Sequence, residues 1–267
     1  MSLLAMIALT FLFFTAQANA AHAVDDTVTT APTERIQIAV EDDASPWSNN
    51  DGTGEANDLV KEIFKAANID IDFEVVPYAR CKSMAINGQT IACFSMSESA
   101  EFKDSISFSR DPLFTCSVEL YARTGLTSKY KAEKDLPRGT RLGIVKGYEY
   151  PSPLSEKIAT DFYAITEVNS ESQLLKMLDK NRLDVAVLNL SERKRIKTFD
   201  EIKHSKLKVK AFTKIGDMNS YIGFSNSHPK GKWALAKFNE AQKHLQKRLP
   251  NSTARKHKYS LKTKHDL

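Results

Sequence analysis

Cysteine is scarce: Cys81, Cys93 and Cys116 are the only three among 267 residues. Three are too few for a disulfide scaffold. No Cys-x-x-Cys occurs, and no histidine stands at ligand spacing from a cysteine, so a metal site is not expected. Glycine and proline are sparse too, at ten and nine residues, which excludes collagen-like and linker-like chains. Charge of either sign is missing before Asp25. Beyond the N-terminal segment no apolar run reaches the roughly 18 residues that a membrane-spanning helix needs.

What is present is globular composition, 42% hydrophobic and 27% charged. A chain of this length can bury one large core or two ordinary ones. The formal charge of +5 hides an asymmetry. Residues 25–123 hold 18 acids and 8 bases, a net of −10, and residues 124–267 hold 15 acids and 30 bases, a net of +15. A sign change near the middle hints at two bodies.

Residues 1–20 read as an export signal. The apolar stretch from Leu3 to Phe14 has the length of a signal core, and Ala18-Asn19-Ala20 and Ala21-His22-Ala23 both have the small-x-small form of a cleavage site. The segment lacks the usual leading Lys or Arg, and an uncleaved anchor is the alternative. Export would place the cysteines in an oxidising compartment, where one pair can bridge.

Apolar periodicity then predicts strands at residues 36–40, 69–76 and 90–96, with helices at 55–67 and 78–87 between them. A strand at 113–123 follows. The pattern restarts with strands at 141–145, 163–168 and 183–188 and helices at 153–161, 170–179 and 191–198. Strands at 207–212 and 220–224, parted by a turn at Gly216, precede a long helix ending near Leu249. The last 18 residues hold five Lys or Arg and read as a basic tail. Two β-α-β-α-β runs point to mostly parallel sheets flanked by helices. Around the Gly88 turn, Cys81 on a helix and Cys93 on a strand reach heights of roughly 10 and 16 Å. That makes Cys81–Cys93 the preferred bridge; three buried thiols are the alternative.

Several short motifs occur in a meaningful order: Glu41 then Pro46-Trp47; Val76-Pro77-Tyr78-Ala79-Arg80; Ser95-Met96-Ser97-Glu98-Ser99; Phe108-Ser109-Arg110-Asp111-Pro112-Leu113; Leu142-Gly143-Ile144-Val145-Lys146-Gly147-Tyr148; and Asn181-Arg182-Leu183-Asp184-Val185. Together they resemble the bacterial extracellular solute-binding proteins of family 3, which serve polar amino-acid ABC transporters. The resemblance covers residues 34–249. It implies an α/β, two-lobe periplasmic binding protein fold of type II with two crossover strands. Lobe 1 would be residues 21–123 plus 217–267, and lobe 2 residues 124–216. It also implies a periplasmic monomer without catalysis or cofactor. Its partners would be a small, carboxylate-bearing ligand and an ABC permease in the inner membrane, with no nucleic acid. An enzyme of the cyclohexadienyl dehydratase kind, with Glu41 or Glu98 as acid, and a ligand sensor for a membrane receptor are the alternatives. Two departures stand out: Phe102 occupies the place of the family's carboxylate-binding Arg, and Ala44 that of a ligand-stacking aromatic. Both point away from an ordinary α-amino acid.

In an open α/β sheet ligands sit beyond the carboxyl ends of strands. This selects nine ligand-binding candidates. Arg80 would clamp a carboxylate. Trp47 would stack on a ligand. Ser95, Met96 and Ser97 would offer hydroxyl and backbone groups. Gly147 and Tyr148 would open a helix whose free N–H groups favour an anion. Glu41 and Asn189 stand at strand ends, one in each lobe. For Arg80 the bland alternative is a surface ion pair; for Trp47 it is a core anchor.

Overall fold

The computed structural model describes residues 34–248. The expected export signal and the basic tail from residue 250 lie outside the described residues.

The chain opens with β1 (Glu34–Glu41), α1 (Glu55–Ala66) and β2 (Ile69–Val76). In α1 the apolar Ala56, Val60, Ile63 and Phe64 fall on one helical face and are buried. Acids lie in its first turn and Lys65 in its last, which suits the helix dipole. Gly54 precedes it with φ 142°, and any Cβ there would strike the Trp47 carbonyl. Only glycine fits that turn. β1 and β2 pair in parallel, from Glu34 opposite Ile69 to Glu41 opposite Val76. α2 (Tyr78–Ile86) starts after Pro77 and leads through Gly88 to β3 (Ala92–Met96). The short β4 (Ile106–Phe108) and the long β5 (Phe114–Arg123) follow, then α3 (Leu126–Lys129). The second run is β6 (Arg141–Val145), α4 (Leu154–Ala159), β7 (Ala164–Val168), α5 (Glu171–Asp179), β8 (Val185–Leu190) and α6 (Glu192–His204). The return strand β9 (Val209–Ser225) and α7 (Gly231–Arg248) close the described chain.

Two long antiparallel strands join the two runs. β5 and β9 pair from Phe114 opposite Ser220 to Arg123 opposite Val209. At one end β9 also pairs with β3 and β4; β5 carries β8, then β6 and β7 beyond it. Parallel pairing is confined to β1/β2, β6/β7 and β6/β8. The sheets are therefore mixed rather than mostly parallel, because strands that flank the two connecting strands must run against them. β1 lies beside β3 without a ladder; the Ala39 N–H donates to Thr90 Oγ1 instead, at 3.0 Å.

The cores follow this division. Ile38, Phe64, Phe94, Phe224 and Phe238 belong to one buried cluster. Leu120, Leu142, Leu154 and Val187 belong to another. Along β5, Cys116 packs in the first and Val118, two residues on, in the second. Cys81 and Cys93 are disulfide-bonded, with Cα atoms 5.7 Å apart, and Cys116 is a buried free thiol. Among the described residues no helix is long and apolar enough to cross a membrane.

Candidate functional site

The ends of β1, β3, β6 and β8 converge where β5 and β9 pass between the two runs. Here a small cavity of about 20 Å³ is lined by Glu41, Trp47, Ser95, Ser97, Tyr148 and Asn189, all candidates from the sequence. Phe114, Cys116, Glu149 and Ser220 complete its wall.

Glu41 ends β1 with only 2% of its surface exposed. Burial pushes its carboxyl up from 4.5 to about 8, against the opposing effects of the Tyr148 hydroxyl and the Lys194 ammonium. Tyr148 OH donates to its Oε1 at 2.5 Å, a bond between residues 107 apart in sequence. The loop after it folds back on itself, with Ser48 Oγ donating to the Glu41 carbonyl. This loop carries Trp47, whose ring stacks on Phe114 with centroids 4.5 Å apart. Lys194 Nζ lies 4.6 Å from the Trp47 centroid and ion-pairs with Glu171 at 2.6 Å. Trp47 thus serves as core anchor and cavity wall at once.

Ser95 sits where the β3–β9 register shifts and holds φ 67°, the left-handed region that a serine seldom adopts. Its buried Oγ has no hydrogen-bond partner, and neither has Asn189 Oδ1 on the opposite run. The Asn189 N–H donates to Glu171 at 2.7 Å.

Glu149 takes the main inter-run contacts. Its Oε2 accepts from the Ser97 N–H at 3.1 Å and from Tyr78 OH at 2.8 Å. Its Oε1 accepts from Lys82 Nζ at 3.2 Å. Burial raises its pKa, and Lys82 leads the groups that oppose the rise. Lys82 also donates to the Gly147 carbonyl at 2.7 Å and pairs with Glu101. Tyr78 and Lys82 lie four residues apart on α2, so one helical face presents both to Glu149. That spacing was visible in the sequence. The carboxylate it serves, more than sixty residues away, was not.

The remaining candidates fall elsewhere. Arg80 is exposed on α2 and lines none of the described cavities. Met96 is fully buried in the core beside Tyr78 and Cys93. Gly147 lines a neighbouring cavity rather than the central one. No helix opens at Gly147-Tyr148: α4 begins only at Leu154, after Pro151 and Pro153, since a residue before proline is steered away from helical geometry. The Tyr148 N–H is spent on the Val145 carbonyl in a turn. Gly147 is needed there for its φ of 85° and its close approach to Ala79 of α2. Phe102 is buried against Phe108, and Lys82 Nζ stands 5.3 Å from its centroid. Ala44 is buried and bridges to Ser48. Glu98 lines the same neighbouring cavity as Gly147. Among the described residues no cluster of His, Cys, Asp or Glu is arranged to hold a metal ion.

No family model matches the chain, and no curated protein matches it. Solved structures do match. An ancestral arginine-binding protein bound to arginine superposes with a TM-score of 0.69 at 17% identity, over 86% of this chain and 99% of that one. A histidine kinase sensor domain similar to periplasmic binding proteins gives 0.69 at 15% identity, over 85% and 96%. A substrate-binding protein of an ABC uptake transporter from Streptococcus pneumoniae, with bound histidine, gives 0.66 at 16% identity, over 85% and 93%. At such identities the likeness is one of fold: the chain has the two-lobe fold of periplasmic binding proteins.

Proposed function

We propose that this protein captures a small polar solute by closing its two lobes on it, in the periplasm and as a monomer, and passes the solute to an ABC permease. Residues 124–216 form the closing lobe. The observation that carries this reading is the central cavity, walled from both lobes, two of whose lining residues hold buried polar atoms without partners, Ser95 Oγ and Asn189 Oδ1. Orphaned buried groups of this kind cost free energy unless something completes them. A bound solute with matching donors does so. Glu41, Trp47, Ser97 and Tyr148 supply the rest of the wall. The fold is that of proteins that bind arginine and histidine, which supports a small polar occupant, and at about 20 Å³ the closed cavity must widen to admit one.

A thermal-shift screen of amino acids, organic acids, amines and polyols tests this. A ligand at about 100 times its dissociation constant stabilises by about 2.7 kcal/mol. For a fold of this size that raises Tm by roughly 5–10 °C. No shift with any compound would refute solute capture.

One observation favours a second reading. Glu41 is a buried acid that keeps its proton at neutral pH, as a general acid must. Incubation with a cyclohexadienyl acid, followed by ultraviolet detection of an aromatised product, decides for or against a dehydratase.

A further inference from the structure

We infer that the solute is a small organic cation, an amine or guanidinium, and that it needs no carboxylate of its own because Glu149 fills the carboxylate place from within the chain. This deepens the capture reading and rests on it.

The donors that meet at Glu149, beside the central cavity, are already used. The Ser97 N–H, Tyr78 OH and Lys82 Nζ all converge on Glu149. Two neutral donors and an ammonium are what an incoming carboxylate would seek. Tyr148 OH is spent on Glu41, and Lys194 and the Asn189 N–H are spent on Glu171. Among the residues that line the cavity, the buried Asn189 Oδ1, an acceptor, and the buried Ser95 hydroxyl have no partner.

The surroundings carry the same sign. Two further cavities are lined by residues of both lobes; one shares Tyr148 and Glu149 with the central wall, and the other meets it through Lys194 over Trp47 and Glu171 on the Asn189 N–H. Asp43, Glu171 and Glu201 line one of them. Glu98, Glu101, Glu149 and Glu167 line the other. Glu41 keeps its proton, and these seven further carboxyl groups stand against two ammonium groups, Lys82 and Lys194. Both ammonium groups are paired to lining acids. The aromatic wall already holds one cation, since Lys194 Nζ stands over Trp47. An acidic cleft with an aromatic wall and an unpartnered amide oxygen selects a donor-rich cation. A solute with its own carboxylate must first displace Glu149 from three partners. The inference therefore departs from the carboxylate-bearing solute that the family resemblance implies.

Matched pairs that differ only by a carboxylate test it: agmatine against arginine, cadaverine against lysine, putrescine against ornithine. Affinities are measured by calorimetry on the full chain, with glutarate and a neutral polyol as further probes. At least one amine is expected to bind ten-fold or more tightly than its amino acid. Glu149→Ala vacates the carboxylate place and should improve the amino acid by ten-fold or more. Circular dichroism checks folding, and Glu149→Gln, which keeps the shape, should move the preference the same way if the alanine variant does not fold. An amino acid that binds wild type as well as its amine overturns the inference, as does an unchanged preference in the folded variant. A best ligand among glutarate or polyol leaves solute capture standing and removes the cation. No binding by any probe removes both.

Discussion

Glu41→Gln isolates the most perturbed carboxyl of the cleft. Burial holds Glu41 at about 8 in the folded chain, against 4.5 for an ordinary glutamate. Its folded-state pKa is raised, so its contribution to stability is fully present below 4.5 and is lost as pH rises through 8. Between these values the folded chain binds a proton that the unfolded chain releases. Each pKa unit is worth about 1.4 kcal/mol, so the whole window spans roughly 5 kcal/mol. Between about pH 5.5 and 7.5 the loss integrates to roughly 2.5 kcal/mol. Glutamine carries no proton to lose, and its amide oxygen can still accept from Tyr148. Wild type should therefore lose roughly 5–10 °C of Tm over that interval beyond any loss in Glu41→Gln. Glu149 is raised in the same direction, but it is present in both proteins and cancels in the difference. Urea or thermal melts at the two pH values suffice. Parallel falls in the two proteins would mean that Glu41 ionises normally, and the account of its burial would be wrong.

The Cys81–Cys93 bridge closes a short loop, with a sequence separation of 12. Its removal by Cys81→Ser with Cys93→Ser should cost about 3 kcal/mol on the chain-entropy account, read as a lower urea midpoint. Thiol counting on the denatured wild type should find only Cys116 free, and three thiols would refute the bridge. Gly54→Ala puts a Cβ into the Trp47 carbonyl at a backbone angle that alanine resists. It should cost about 3 kcal/mol by melting and weaken any solute bound against Trp47; an unchanged melt would contradict the tight turn.

Most of the fold was legible because its signals are local. The alternation in Ile69–Val76, the buried stripe of α1 and the Gly88 stop each lie within one element. β9 was not legible as one strand. Gly216 in a polar stretch reads as a turn, but β5 pairs along its length and the ladder absorbs the irregularity as register shifts near Val118 and Leu120. Tertiary pairing overrode the local signal. The same limit divides the site. Glu41, Trp47, Ser95, Ser97, Tyr148 and Asn189 were found because strand ends in an α/β fold face the cleft. Glu149 was missed because its role rests on partners 52 to 71 residues away, Ser97, Lys82 and Tyr78. Arg80 was favoured on chemistry alone, and its helical position turns it to solvent.

Charge composition says little about the cleft. The second half of the sequence is basic, with 30 bases against 15 acids, and the sign change hinted only at two bodies. The cleft is acidic from both sides. Where α6 brings bases toward it, Lys194 is turned onto Glu171 and Arg195 onto Glu119. A sum over a segment fixes its net charge but not which side chains reach a given surface, and neutralised bases add little to a field across the cleft. Opposite lobe charges are therefore not what holds the cleft shut. The closing contacts are specific and buried: Tyr148 on Glu41, and Ser97, Tyr78 and Lys82 on Glu149. Buried pairs are screened far less by salt than exposed ones. On the proposed capture reading, closure therefore rests on the contacts at Glu149 and Glu41 rather than on the lobes' net charges.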